Sequence, residues 1–111
     1  MALNIDQYVC NENVVYSGTV YYTRASGEWL GNLNDIRVTH ERIILSGRES
    51  DEVAVYPLKK ICCVYMFFNG GLNMWTIHVS CGYCSECNLH VSQFDWANLL
   101  FNNLQYYSVF N

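Results

Sequence analysis

The chain has 111 residues, a formal net charge of −4 and only six lysines and arginines. Its length suits one domain with a substantial core, which we expect to be a single unit at 1–111 with an N-terminal arm at 1–11 and a core at 12–108. Binding to nucleic acid needs clustered cations, and because the largest cluster here is the pair Lys59 and Lys60, we expect no nucleic-acid partner.

The first part of the chain predicts one strand and one loop. Residues 13–23 are rich in β-branched and aromatic side chains and predict a strand, with Gly18 at a bend or bulge. Residues 24–34 are polar and contain several glycines, so they predict a loop that carries an isolated tryptophan, Trp29.

The middle of the chain predicts four further strands, at residues 35–39, 42–46, 53–56 and 60–68. Pro57 stops the third of these, because proline cannot continue a regular strand ladder. The fourth is apolar on both faces, which is typical of a buried strand. The sequence Asn69-Gly70-Gly71 then indicates a hairpin turn.

Two alternating segments, residues 75–81 and 87–93, predict a terminal hairpin. A connection centred on Cys84 gives a register in which every inward residue meets an inward partner. The predicted pairs are Cys81 with Cys87, Val79 with Leu89, and Ile77 with Val91.

The last segment predicts a helix that begins near Ser92, which is a good N-cap, and carries Asp95 in its first turn. One helical stripe is apolar, which is typical of a helix that packs against a core. The stripe consists of Ala97, Leu100, Phe101, Leu104 and either Tyr107 or Ser108. The order of elements therefore predicts a β-dominated α+β domain with about seven strands and one C-terminal helix.

This order resembles the pleckstrin-homology-like (PH-like) fold, most closely small bacterial PH and GRAM-type domains. Residues 12–18 (ENVVYSG) are similar to the opening motif of that family, and residues 37–45 (RVTHERIIL) and 55–61 (VYPLKKI) are similar to two later motifs. The resemblance covers roughly residues 12–107. It implies about seven antiparallel strands in two nearly orthogonal sheets, a β-barrel whose open end is capped by the C-terminal helix.

Five potential metal ligands follow one another at a uniform spacing of three: His78, Cys81, Cys84, Cys87 and His90. Three thiolates and an imidazole would satisfy a tetrahedral zinc site. Residues three apart in a strand point to opposite faces, however, so the hairpin predicts no metal and places His78 beside His90 on a solvated outer face. The alternative is a zinc-stabilised or redox-responsive domain built on Cys81, Cys84 and Cys87. In that hairpin Cys81 and Cys87 are also placed to form a cross-strand disulfide on oxidation.

The N-terminus, MALNIDQYVC, has no basic region followed by an apolar stretch, which predicts no signal peptide. No apolar run reaches the roughly 20 residues that span a bilayer. We therefore expect a cytoplasmic protein with reduced cysteines. No Gly-rich phosphate loop, nucleophile elbow or paired-carboxylate motif is present in the sequence, so we expect no enzymatic activity and no cofactor.

Lipid-binding members of the family that this chain resembles use several basic residues near the first strand–loop–strand. Here that region offers Arg24 and Arg37, with Glu28 and Asp35 between them. The nine tyrosines, five phenylalanines and three tryptophans are a stronger feature, because exposed aromatic side chains commonly mark protein interfaces. The candidate binding residues are Trp29, Arg37, Arg42, Lys59, Lys60, Tyr106 and Tyr107, with Phe110 beyond them.

The expected function is that of a non-catalytic protein-interaction module of PH-like fold that self-associates as a homo-oligomer. Its contact would be the open edge of the sheet or the loop that carries Trp29, which alternatively folds back as a loop anchor. The binding of phosphoinositides or of an anionic membrane surface is a second hypothesis, in which Lys59 and Lys60 take part.

Overall fold

The computed structural model describes residues 4–24, 29–82 and 85–108, which form seven antiparallel strands followed by one helix. This confirms the β-dominated α+β class. The strands are β1 (Val14–Thr23), β2 (Asn32–Thr39), β3 (Arg42–Gly47), β4 (Val53–Pro57), β5 (Cys63–Asn69), β6 (Met74–Ser80) and β7 (Glu86–Val91), the helix is α1 (Phe94–Tyr107), and short 3₁₀ turns lie at Ile5–Tyr8 and Leu58–Lys60.

Hydrogen bonds join the strands into one sheet in the order β4-β3-β2-β1-β7-β6-β5. β1 pairs with β2 along most of its length but with β7 only through its last three residues, from Tyr21 to Thr23. Both halves of the sheet contribute to one buried cluster, which includes Ile36 of β2 and Ile77 of β6. Strand β1 therefore links two halves that share a single core.

Helix α1 covers this core with the predicted stripe. Ala97, Leu100 and Leu104 are fully buried, and Ser108 after the helix is buried as well. The predicted N-cap, Ser92, lies one residue before the observed N-cap, Gln93, whose side chain makes no capping hydrogen bond. Among the described residues, no helix is long and apolar enough to cross a membrane.

The predicted register of the terminal hairpin is wrong by two residues. In the structure Val79 lies opposite Cys87, and Ile77 lies opposite Leu89. Because the shift is even, every residue keeps its predicted face while changing its partner. Cys81 lies beyond β6, and its N–H donates to the carbonyl of Ser85 at 2.7 Å, so it does not face Cys87. Cys84, the predicted centre, lies outside the described residues.

Strand β5 is not the buried strand that its apolar sequence predicts. It begins at Cys63, since Leu58–Lys60 forms a 3₁₀ turn, and it ends the sheet with β6 as its neighbour. Only Val64 in this strand is buried. Burial on both faces needs an element packed against each face, and among the described elements β5 is contacted chiefly by β6 beside it and by α1.

The loop after β1 is shorter than predicted, because β2 begins at Asn32. Just before it, Gly31 has a φ of +80°, and an added Cβ would lie 2.1 Å from the carbonyl oxygen of Tyr22. Glycine permits both this backbone conformation and this close approach. The chain therefore turns back onto the end of β1 at Gly31.

Candidate interaction surfaces

Strand β5 carries three exposed aromatic side chains, which we name the β5 surface: Tyr65 and Phe67 on one face of the strand and Phe68 on the other. Their exposed fractions lie between 42% and 49%. The ring of Tyr65 stacks on that of His78 with centroids 4.9 Å apart, and it lies 6.0 Å from the ring of Phe67. His78 is fixed in turn, because its Nδ1 is 2.9 Å from Oδ1 of Asn88. The rings are thus held in place by side chains of β6 and β7.

The β5 surface continues toward the start of α1. The ring of Phe68 meets Trp75 edge-on at 5.2 Å, and Trp75 meets Phe94 at 4.8 Å. Phe94 is itself almost half exposed. Aromatic contacts therefore run from the edge strand to the first turn of the helix.

A second apolar surface lies on α1 and consists of Trp96, Leu99 and Tyr106; we name it the helix surface. All three side chains are exposed, Tyr106 to 77%. Positions three and seven apart lie on one side of a helix, so the three form a stripe beside the buried one. Trp96 and Leu99 were not among the predicted binding residues, although this same spacing identifies them.

Tyr107 differs from its neighbour Tyr106. It is partly buried against the core, and its ring stacks on His40 with a centroid distance of 4.6 Å. Tyr106 meets the ring of Tyr107 edge-on at 4.8 Å. Of the two predicted binding residues, Tyr106 is available at the surface, whereas Tyr107 connects α1 to the turn between β2 and β3. Phe110 lies outside the described residues.

Trp29 stands at the wall of an open cleft of about 490 Å³, which we name the Trp29 cleft. The side chain of Trp29 is 64% exposed, so it is not an anchor folded into a satellite core. The cleft lies between the β1–β2 connection and the β3–β4 turn. Its polar and charged lining residues include Arg24, Asn32, Asn34, Ser50 and Glu52.

Beneath the Trp29 cleft, hydrogen bonds link Arg24 to the core. Nε of Arg24 donates to the hydroxyl of Tyr22 at 2.9 Å, and this hydroxyl is 2.6 Å from that of Tyr56. Burial raises the pKa of Tyr56. Burial also raises the pKa of Cys87, to about 12, while a hydrogen bond with Tyr56 acts to lower it. Both groups therefore hold their protons at neutral pH.

Two of the predicted basic binding residues hold the N-terminal arm. Nε of Arg37 donates to Asp6 at 3.0 Å, and Arg42 pairs with Glu12 at 2.8 Å. The hydroxyl of Thr39 donates to Glu12 at 2.7 Å. This hydrogen bond is the main cause that lowers the pKa of Glu12; burial acts in the opposite direction, and Arg42 lowers the pKa further. These arginines are neutralised by the fold.

The two lysines are exposed but lie apart from the Trp29 cleft. Lys59 and Lys60 occupy the 3₁₀ turn after β4, whereas the cleft is lined by Val53 and Ala54 at the start of that strand. The structure therefore brings Trp29 and Arg24 together and leaves the lysines at the opposite end of β4.

The cysteines that the structure describes are free thiols, and Cys81 and Cys87 form no disulfide. In the described ranges, with Cys84 outside them, no group of three or more His, Cys, Asp or Glu side chains is arranged to hold a metal ion. Burial raises the pKa of Cys81 as well, and the neighbouring Cys62 adds to the shift while Lys60 opposes it.

Cys87 should resist alkylation in the folded protein. With its pKa raised to about 12 and its side chain fully buried, we expect it to react with iodoacetamide at least about a hundredfold more slowly than the exposed Cys10. Denaturant should remove the difference. Peptide mass spectrometry after timed labelling of the reduced protein measures both rates. Equal rates in the folded state would contradict the burial of Cys87.

His90 is buried, contrary to its predicted place on a solvated face. Its exposed fraction is 1%, and it lies opposite Thr76, not His78. Nδ1 of His90 is 2.8 Å from the hydroxyl of Thr76, while Nε2 is buried without a regular hydrogen bond. Burial lowers the pKa of His90, and an interaction with the Trp29 backbone acts in the opposite direction.

The lowered pKa of His90 should make the fold sensitive to mild acid. The unfolded state, with a pKa near 6.5, takes up a proton before the folded state does, so the free energy of unfolding should fall as the pH drops below about 6.5. We expect His90→Asn, which retains a group able to reach Thr76, to flatten this decline in urea titrations between about pH 7 and 5.5. A decline that persists in His90→Asn would assign it to another group.

Comparison with protein-family models, with curated proteins and with solved structures finds no match to this chain.

Proposed function

We propose that this protein is a non-catalytic interaction module that self-associates through its exposed aromatic surfaces. The observation that carries the proposal is the β5 surface, where Tyr65, Phe67 and Phe68 are 42% to 49% exposed on a strand without a charged residue. Adjoining apolar side chains of this size are typical of protein contacts. Their fixed positions reduce the entropy that binding would otherwise cost.

The proposed architecture is PH-like, with the seven strands folded into two layers around the shared core. The strand order supports it, because β1 joins a four-strand half, β4-β3-β2-β1, to a three-strand half, β7-β6-β5. The single buried cluster with residues of both halves and α1 supports it as well. Fold alone does not define activity, so the interaction role rests on the surface and not on this architecture.

The membrane-surface hypothesis has less support from the contacts. Arg37 and Arg42 are paired with Asp6 and Glu12, and the exposed lysines Lys59 and Lys60 lie away from the Trp29 cleft. Vesicles of anionic lipid that retain the protein at low salt, and release it after replacement of Lys59 and Lys60 by glutamine, would favour that hypothesis instead.

Sedimentation equilibrium of the purified, reduced protein over about a hundredfold range of concentration tests the proposal, since association follows mass action. We expect an average mass that rises from monomer toward a defined oligomer. A monomer at every concentration would overturn self-association. Native mass spectrometry on the same sample serves as a check, because a protomer heavier by one zinc ion would support the zinc-stabilised alternative.

A further inference from the structure

Strand β5 leaves one edge of the sheet open. Within the described residues it pairs with β6 alone, over seven residues from Cys63 to Asn69. Alternate residues of an edge strand direct their N–H and C=O groups away from the sheet, where they can pair with another extended strand.

The two edges of the sheet differ in their protection. Natural edge strands avoid further pairing through charged side chains, proline, bulges or short length. β4 at the other edge has five residues and ends at Pro57. β5 has seven residues, CVYMFFN, with neither charge nor proline. The chemistry of the β5 edge therefore favours an uncharged extended strand as its occupant.

A second copy of β5 satisfies this requirement. When two β5 strands run antiparallel about a twofold axis at Met66, Tyr65 of each copy lies opposite Phe67 of the other. Val64 then lies opposite Phe68 on the other face. Directly opposed aromatic residues stabilise antiparallel strand pairs. Because β5 carries no charged residue, the pairing places no like charges opposite one another, although each chain has a net charge of −4.

We propose that two copies of this chain join through antiparallel β5 strands centred on Met66, which unites their seven-stranded sheets into one. The inference rests on the proposed self-association and names its surface and register. The stacking of Tyr65 on His78 supports it, because the ring is already held on the outward face where Phe67 of the second copy would meet it.

Charge substitutions on β5 test both the surface and the register. We expect Tyr65→Lys and Phe67→Glu each to raise the dissociation constant of the dimer at least about tenfold, because each removes two symmetric aromatic pairs. The double variant should recover most of the wild-type affinity, since Lys at 65 would face Glu at 67 of the second copy twice. Leu99→Lys places a charge at an equally exposed apolar position on the helix surface and tests whether that surface carries the contact instead. Val55→Lys is the control, because it places a charge at an exposed apolar position of β4, on the opposite edge of the sheet.

The outcomes separate this inference from the proposed function. A dimer that withstands both β5 variants but dissociates in Leu99→Lys would place the contact on the helix surface, which overturns the inference and leaves self-association standing. Loss of the dimer in both single variants without recovery in the double variant would overturn the antiparallel register. A monomeric wild-type protein would overturn the proposed function itself, and the β5 edge would then be left to a strand of another protein.

Hydrogen exchange of the unmodified protein provides a measurement that does not depend on the folding of any variant. Backbone amides of β5 should exchange more slowly as the protein concentration rises through the dissociation constant, because pairing with a second strand protects them. Amides in α1 should show no such dependence. Concentration-independent exchange throughout β5 in a sample that does form dimers would exclude the β5 contact.

Discussion

Replacement of Leu100 by alanine should lower the free energy of unfolding by about 2–5 kcal/mol. Leu100 is fully buried in the core cluster, on the side of α1 that faces the sheet. The substitution removes apolar contacts and leaves a cavity that the sheet on one side and the helix backbone on the other can only partly fill. Since small domains are stable by only about 5–15 kcal/mol, urea denaturation should show this loss as a clear shift of the midpoint.

Leu99 offers a matched control for this prediction. It is the same residue type, one position earlier in the same helix, and 47% exposed. Leu99→Ala changes helix propensity in the same way as Leu100→Ala but creates no buried cavity, so its effect should stay within about 0.5 kcal/mol. Similar losses in the two variants would mean that α1 does not present the face toward the core that the structure gives it.

Replacement of Gly31 by alanine should destabilise the fold by more than about 3 kcal/mol, or prevent folding. Two effects add at this position. The φ of +80° is unfavourable for any residue with a side chain, and the new Cβ would lie 2.1 Å from the carbonyl oxygen and 2.7 Å from the carbonyl carbon of Tyr22. Tyr22 pairs with Asn32 at the start of β2, so its backbone cannot move away without loss of that pairing.

Two other glycines separate these effects. Gly82 has a φ of +92° but open space around its Cβ position, so Gly82→Ala should cost only the backbone strain of about 1–2 kcal/mol. Gly70 has neither a positive φ nor a neighbour within 4 Å, and Gly70→Ala should be nearly neutral. Thermal and urea unfolding of the three variants should rank them Gly70, Gly82, Gly31 in increasing loss. Equal losses at Gly82 and Gly31 would show that the close approach to Tyr22 has no cost.

The sequence predicts which face a residue occupies better than which residue it meets. The alternation in β7 correctly places Leu89 and Val91 on the core side, and the helical spacing correctly identifies Leu100 and Leu104. These patterns follow from the geometry of a single element. The partner of Leu89 depends on the conformation of the turn before it, which short-range patterns do not contain, and the prediction was wrong by two residues there.

Burial depends on distant parts of the chain, and here sequence reasoning was least successful. His90 alternates correctly onto the outer face, yet it is buried. Similarly, the apolar sequence of β5 predicts burial on both faces, whereas no described element covers the face that carries Tyr65 and Phe67. In both cases the position of other segments in the fold decides the outcome.

The candidate binding residues show the same difference between what short-range patterns predict and what depends on distant segments. The exposure of Tyr106 was expected from its position outside the buried helical stripe, and the exposure of Trp29 was one of two alternatives for its loop. The pairing of Arg37 with Asp6 and of Arg42 with Glu12 could not be expected, since these partners are about thirty residues apart and meet only when the arm lies on the sheet.

The narrow junction between β1 and β7 has a consequence for how the protein folds. Among the described residues, three pairs, beginning with Tyr21 opposite His90, join the early strand to the late one, and most of the chain lies between them. Closing so long a loop is entropically costly, whereas the hairpins on either side bring together neighbours in sequence. We therefore expect this junction to form last and to open first, and the exchange rates of the amides at Tyr21, Tyr22 and Thr23 would report such opening. The two halves of the sheet would then act as separate folding units that become one domain only at this final step.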